Sequence, residues 1–120
     1  MKKILIIEDE KMLSEMYKDK FKKEGFNVVT AMTCEDGIEL AKEEEPDLIV
    51  LDILLPRGSG ISFLKSQKEI SSISSIPVVV LSNFDEPDTK REALALGAKE
   101  YLIKSNLDPS QTLERIKKYL

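Results

Sequence analysis

The chain contains no histidine and only one cysteine, Cys34. Without imidazole, a zinc site and a His-based catalytic triad both lack the groups they ordinarily use. A lone cysteine cannot build an internal disulfide framework, which fits a reducing cytoplasm. With no case for a reactive thiol, Cys34 reads as an ordinary residue at a helix start. No apolar segment approaches membrane-spanning length, and the run after Met1-Lys2-Lys3 is too short for the core of a signal peptide. An excess of positive charge is also missing. The formal net charge is -4, which argues against direct binding to nucleic-acid phosphates. What remains is the composition of an ordinary globular protein, 42% hydrophobic and 33% charged over 120 residues. That is enough chain for one domain, residues 1–120, around one core.

The most informative segment is Leu48-Ile49-Val50-Leu51-Asp52-Ile53-Leu54-Leu55, an apolar run with a carboxylate at its centre. An unpaired charge in such a setting is expensive, so Asp52 must be paired, metal-bound or at a strand end opening into a cleft. Three further apolar runs end in reactive polar groups. Lys3 to Ile7 leads into Glu8-Asp9-Glu10, Val78 to Leu81 into Ser82, and Tyr101 to Ile103 into Lys104. If the four strands are parallel, acids, hydroxyl and amine meet at one edge of one sheet. That set suits holding a divalent metal and accepting a phosphoryl group.

Strands and helices alternate along the whole chain with little linker. Strands are expected at Lys3–Ile7, Phe26–Ala31, Leu48–Leu51, Val78–Leu81 and Glu100–Ile103, the third all-apolar and so covered on both faces. The first helix is expected from about Lys11 to Glu24, stopped by Gly25. Thr33, with Asp36 three residues on, caps a helix to about Glu44. Ser59, within the loop Pro56–Gly60, caps one to about Ile70, and Ser71–Ser75 is a short connector. Asp85 is the expected cap of a helix closed by Gly97, and Asp108-Pro109 starts a last helix running to Leu120. Five such units make a three-layer α/β sandwich around a parallel sheet, with ligands bound beyond the C-terminal strand ends. Spacing does not give the strand order; 2-1-3-4-5 is taken from flavodoxin-like folds as a class.

In these residues the chain resembles the receiver domain of bacterial two-component response regulators, over essentially its full length. Ile4 to Glu10 is similar to that family's first strand and acidic pocket, and Pro46 to Gly60 to its phosphoacceptor segment. Pro77 to Ser82 is similar to the strand that carries its switch hydroxyl. Gly97 to Lys104 is similar to the segment with its switch aromatic and lysine. The resemblance implies that Asp52 accepts a phosphoryl group from the phosphohistidine of a sensor histidine kinase. It implies Mg²⁺ held by Asp9 and Asp52, by Glu8 through water and by the Leu54 backbone carbonyl. Lys104 and Ser82 are implied as partners of phosphoryl oxygens, Ser82 and Tyr101 as the switch pair. A carboxylate nucleophile needs no general base, but it does need charge neutralisation. Two carboxylates 5 Å apart repel by about 3 kcal/mol at an effective dielectric near 20.

On this reading the protein is not an enzyme in the ordinary sense, catalysing only its own phosphorylation and slow dephosphorylation. It is a stand-alone regulator or one domain of a longer one, cytoplasmic, with no membrane contact. Its partners are the kinase and an output protein or domain, met through the fourth helix, fifth strand and last helix, with Lys90, Arg91, Tyr101, Arg115 and Lys118. The same face is a candidate for homodimer contact. Singly, the groups have plainer explanations: Glu8-Asp9-Glu10 as an acidic helix start, Ser82 as a turn hydroxyl, Lys104 as a surface amine. Four positions depart from the family pattern, and two of them, Leu54 and Phe84, flank the site where many relatives carry polar side chains. Ser105 stands where proline is usual, and Asn83 where a very small residue is preferred. A degenerate receiver, binding proteins without phosphorylation, is the alternative these departures keep open.

Overall fold

The computed structural model describes residues 1–120. Its elements in chain order are β1 (Lys3–Ile7), α1 (Lys11–Lys23), β2 (Asn27–Ala31), α2 (Cys34–Glu44), β3 (Leu48–Leu51), β4 (Leu54–Leu55), β5 (Gly58–Ser59), α3 (Gly60–Glu69), β6 (Val78–Ser82), α4 (Pro87–Ala95), β7 (Glu100–Ile103) and α5 (Pro109–Ile116). Short 3₁₀ turns occupy Lys104–Asn106 and Lys117–Tyr119. The main sheet has the order β2-β1-β3-β6-β7, all parallel, which is 2-1-3-4-5 for its five strands. The expected architecture and strand order are those observed.

The strands form where they do because their side chains alternate between two dry layers. On one face Leu5, Ile7, Ile49, Leu51, Val78 and Val80 pack with Phe63 and Leu64 of α3, Ala41 of α2 and Ala93 of α4. On the other, Ile4, Ile6, Leu48, Val50, Val79 and Leu81 pack with Tyr17 and Phe21 of α1 and Leu113 and Ile116 of α5. All four residues of β3 are buried. Each such side chain contributes about 1.5–3 kcal/mol on burial, so the middle of the sheet is the most firmly held part of the molecule. The functional groups stand just beyond it. The serine-rich connector is anchored too: Ile73 is fully buried, and the Gln67 amide donates to the carbonyls of Ile73 and Ile76 at 3.0 and 2.9 Å.

Three local expectations need correction. The cap of α4 is Glu86, not Asp85. Pro87 takes the first helical position, and the Glu86 carboxylate accepts from the N–H groups of Asp88 and Thr89, both at 3.1 Å. Asp85 instead pairs with Lys90. The segment after Asp52 is not a plain loop, because β4 and β5 pair antiparallel, Leu54 with Ser59 and Leu55 with Gly58. The last helix ends at Ile116 and tightens into its 3₁₀ turn before Leu120.

Helix α2 ends on Glu45 in the left-handed region, φ 48° and ψ 58°. A residue with a Cβ is strained there and glycine is not. Glu45→Gly is therefore expected to raise stability by about 0.5–1 kcal/mol, or a few degrees in a thermal melt. A midpoint that is unchanged or lower would show the Glu45 conformation to be relaxed.

Candidate functional site

Register brings the polar strand ends together. Leu51 lies in register with Ile7 on one side and Val80 on the other, so Glu8 and Asp52 each stand one residue past their strand and Ser82 two past Val80. Ser82 in turn is in register with Ile103, which puts Lys104 one step beyond. Parallel pairing thus does what the sequence required of it, and all four expected groups stand at one edge.

The groups are buried and engaged. Asp52 is 6% exposed and Ser82 fully buried; the Lys104 side chain is 8% exposed. Lys104 Nζ donates to Asp52 Oδ2 at 2.8 Å and also to Glu8 Oε1. Asp52 Oδ1 accepts from the Leu54 N–H at 3.2 Å, and Glu8 Oε2 from the Glu10 N–H at 3.0 Å. The acids precede α1 rather than lying in its first turn, and Glu8 turns inward to the lysine. Its plainer explanation as a helix-start charge is thereby removed.

Burial raises the pKa of Glu8, and Asp52 repels its charge, while hydrogen bonds from Lys104 and Glu10 work against both. For Lys104 burial acts to lower the pKa, but hydrogen bonds to Asp52 and Glu8 outweigh it and hold the amine above its ordinary value. The lysine is therefore a fixed cation at the centre of the site. Glu8, Asp9 and Asp52 can each present a carboxylate oxygen within 4.8 Å of the others. Three hard oxygen donors of like charge form a set suited to a divalent cation such as Mg²⁺, so the residues fit the metal that the resemblance implies. Lys104 now neutralises two of these carboxylates, Glu8 and Asp52.

The two residues expected as the switch pair meet at the backbone of one residue, Phe84. Ser82 Oγ accepts from the Phe84 N–H at 3.1 Å, and the Tyr101 hydroxyl donates to the Phe84 carbonyl oxygen. Lys90 Nζ stands 5.9 Å from the centre of the Tyr101 ring. No pattern in the sequence singled out the Phe84 backbone. Nor did any mark the contact between Asn83 Oδ1 and the Ser105 N–H, at 2.8 Å. Two of the positions that depart from the family pattern, Asn83 and Ser105, are thus partners of each other. Asn83 also lines the mouth over Asp52, together with Asp9, Leu54 and Lys104. Leu54 is 54% exposed there, and Phe84 lines the adjoining apolar groove with Ile53, Ile61 and Thr89.

Glu100 ties β7 to α5 and to the 3₁₀ turn that follows it. Its carboxylate accepts from Arg115 at 2.7 Å, Lys118 at 2.8 Å and the Tyr119 hydroxyl at 2.5 Å. Partial desolvation acts to raise its pKa, but these three hydrogen bonds prevail and lower it to about 2. A folded-state pKa below the unfolded value of 4.5 stabilises the fold above that value and loses the contribution as pH falls towards 2. Glu100→Gln should thus lower stability by about 1 kcal/mol at neutral pH, after allowance for solvent screening. The gap between variant and parent should close between pH 4.5 and about 2. Denaturant titrations across that range test this, and a gap independent of pH would contradict it.

Similarity to known proteins agrees with the geometry. The family model for the response regulator receiver domain matches residues 4–117. Over 116 residues the chain is 37% identical to the phosphate regulon transcriptional regulatory protein PhoB of Escherichia coli, covering 97% of this chain and 50% of that protein. Over 119 residues it is 34% identical to the alkaline phosphatase synthesis transcriptional regulatory protein PhoP of Bacillus subtilis, covering 99% and 48%. The chain spans about half the length of these curated relatives. Among solved structures, chemotaxis protein CheY4 of Vibrio cholerae superposes with a TM-score of 0.92 at 26% identity, covering 100% of this chain and 99% of the other. No helix is long and apolar enough to cross a membrane. By sequence, fold and the convergence of its strand-end groups, the chain belongs to the response regulator receiver domain family.

Proposed function

We propose that this domain is a phosphoacceptor switch, taking a phosphoryl group from the phosphohistidine of a sensor histidine kinase onto Asp52. The observation that carries the reading is the buried Lys104, hydrogen-bonded at 2.8 Å to the carboxylate that acts as nucleophile. An Asp52 oxygen attacks phosphorus, and an O–P bond forms as the P–N bond breaks. The imidazole leaves with the bonding pair and takes a proton from water. Lys104 exchanges a carboxylate contact for a phosphoryl oxygen, which keeps a fixed positive charge where negative charge accumulates. Glu8, Asp9, Asp52 and the Leu54 carbonyl are the groups that would hold Mg²⁺, which when bound supplies further neutralisation of the phosphoryl oxygens.

Ser82 already accepts from the Phe84 N–H, and its rotatable O–H can turn to donate to a phosphoryl oxygen. Movement of Ser82 towards that oxygen carries the Asn83–Asp85 loop with it. The Phe84 carbonyl then withdraws from the Tyr101 hydroxyl, the ring repositions, and the face of α4, β7 and α5 changes. That face meets the output protein or domain and is also the route to a like-domain dimer. The chemistry is confined to the domain's own phosphorylation and slow dephosphorylation, in the cytoplasm. Against a phosphorylation-independent binding module stands the complete set of acids, hydroxyl and lysine, all at one edge of the sheet.

The test is intact mass after incubation with Mg²⁺ and acetyl phosphate. One phosphoryl adduct is expected, dependent on Mg²⁺ and absent from Asp52→Asn. An adduct that persists in Asp52→Asn would place the nucleophile elsewhere. A folded chain that no small donor or histidine kinase phosphorylates would leave only the binding module.

A further inference from the structure

The ladder between β6 and β7 ends at the pair Ser82 and Ile103. The two groups that matter next, Asn83 and Lys104, lie beyond its last rung. Lys104 begins the 3₁₀ turn Lys104–Asn106, whose cap residue Ile103 gives it no side-chain hydrogen bond. The first N–H groups of a helical turn have no partner within it, and here one of them is satisfied from the neighbouring strand. Ser105 N–H donates to Asn83 Oδ1 at 2.8 Å across 22 residues of chain. An Asn side chain commonly caps a helix start within its own segment; Asn83 does so across the sheet edge, adding one side-chain rung to a finished ladder.

We infer that Asn83 is a positioning residue for Lys104, clasping the backbone turn that carries the lysine so that its amine stays against Asp52. The inference rests on the reading of Asp52 as phosphoacceptor and adds a group to that site. A lysine side chain is long and flexible, so its Nζ is only as well placed as the backbone from which it extends. Displacing a catalytic group by about 1 Å is enough to slow a reaction appreciably. The clasp also explains why residues 83 and 105 belong together. A proline at 105 has no N–H to give, and it would leave the Asn83 oxygen without this partner. Because the donor is the backbone, the Ser105 hydroxyl has no part in it.

Two readouts test the clasp. With acetyl phosphate and saturating Mg²⁺, Asn83→Ala and Ser105→Pro should each slow phosphoryl uptake by about 3- to 10-fold, the scale of one lost hydrogen bond. Ser105→Ala keeps the N–H and should match the parent rate. The double variant Asn83→Ala/Ser105→Pro should be no slower than the slower single variant, since both remove the same contact. Unchanged single variants, or losses that multiply in the double variant, overturn the inference. Hydrogen exchange at the Ser105 amide gives the second readout without phosphoryl chemistry. Protection in the parent and in Ser105→Ala that is lost in Asn83→Ala supports the clasp; equal exchange in parent and Asn83→Ala overturns it. A parent chain that accepts no phosphoryl group would sink the reading of the site instead, and the exchange result would still decide the clasp.

Discussion

Replacing Lys104 with methionine should lower the thermal midpoint by about 10–20 °C in the absence of divalent cations, while addition of Mg²⁺ restores more stability to the variant than it adds to the parent. The first part follows from what the lysine leaves behind. Glu8, Asp52 and Lys104 have side chains 3%, 6% and 8% exposed. Removing the cation strands two carboxylates in a dry site, and losing one partner of a buried ion pair commonly costs about 3–5 kcal/mol. A chain of this size loses about 4 °C per kcal/mol. Methionine fills similar volume, so little of the loss is a packing effect.

The second part follows from competition. In the parent, a cation at Glu8, Asp9 and Asp52 must displace Lys104 from carboxylates it already neutralises. In the variant those carboxylates are unpaired, and a ligand that binds the folded state stabilises it in proportion to its affinity. Thermal melts of both chains against a Mg²⁺ series measure the difference. Equal Mg²⁺ gains in the two would mean that Lys104 does not share the carboxylates with the metal. Phosphoryl uptake should fall as well, by about 100-fold or more, the effect of removing one charge-stabilising donor from such a site. The variant therefore separates two roles of one residue, structural cation before the reaction and electrostatic partner during it.

The main sheet was legible because its strands are runs of Ile, Leu and Val, in which period-2 alternation supplies two faces and burial does the rest. The site was legible for a related reason: a polar group that ends such a run can only stand at the sheet edge. The strand order was not in the spacing and came from the fold class. The pairing of β4 with β5 escaped because two-residue strands carry no period, and Leu54-Leu55 looked like the tail of the run before them. Glu86 was missed as a cap although the signal was present, since Glu86-Pro87 repeats the logic of Asp108-Pro109. The contact between Asn83 and Ser105 left no trace in either segment alone. Its partners are brought together only once β6 and β7 are paired, so a pattern read along the chain cannot show it.

Gly60→Ala should destabilise the fold by about 3 kcal/mol and slow phosphoryl uptake by about 10-fold, although Gly60 carries no functional group. A Cβ at this position would meet the Asp52 carbonyl oxygen at 2.5 Å and the Ile53 Cα at 2.9 Å. Both are backbone atoms that cannot rotate away. The Gly60 N–H also donates to the Ile53 carbonyl at 2.9 Å, so α3 starts directly against the residue that follows Asp52. Relief of the clash must push apart the start of α3 and the end of β3, and Asp52 moves with the latter. Gly25→Ala supplies the contrast. Gly25 has φ +96° with nothing within 4 Å of the added carbon, so alanine there meets only backbone strain, about 1 kcal/mol. That variant should melt somewhat earlier and accept phosphate at the parent rate. If both variants lose stability but uptake is unchanged in Gly60→Ala, the close packing of α3 against Asp52 serves the fold alone. If uptake falls only in Gly60→Ala, the missing side chain at position 60 is part of what keeps the nucleophile aimed.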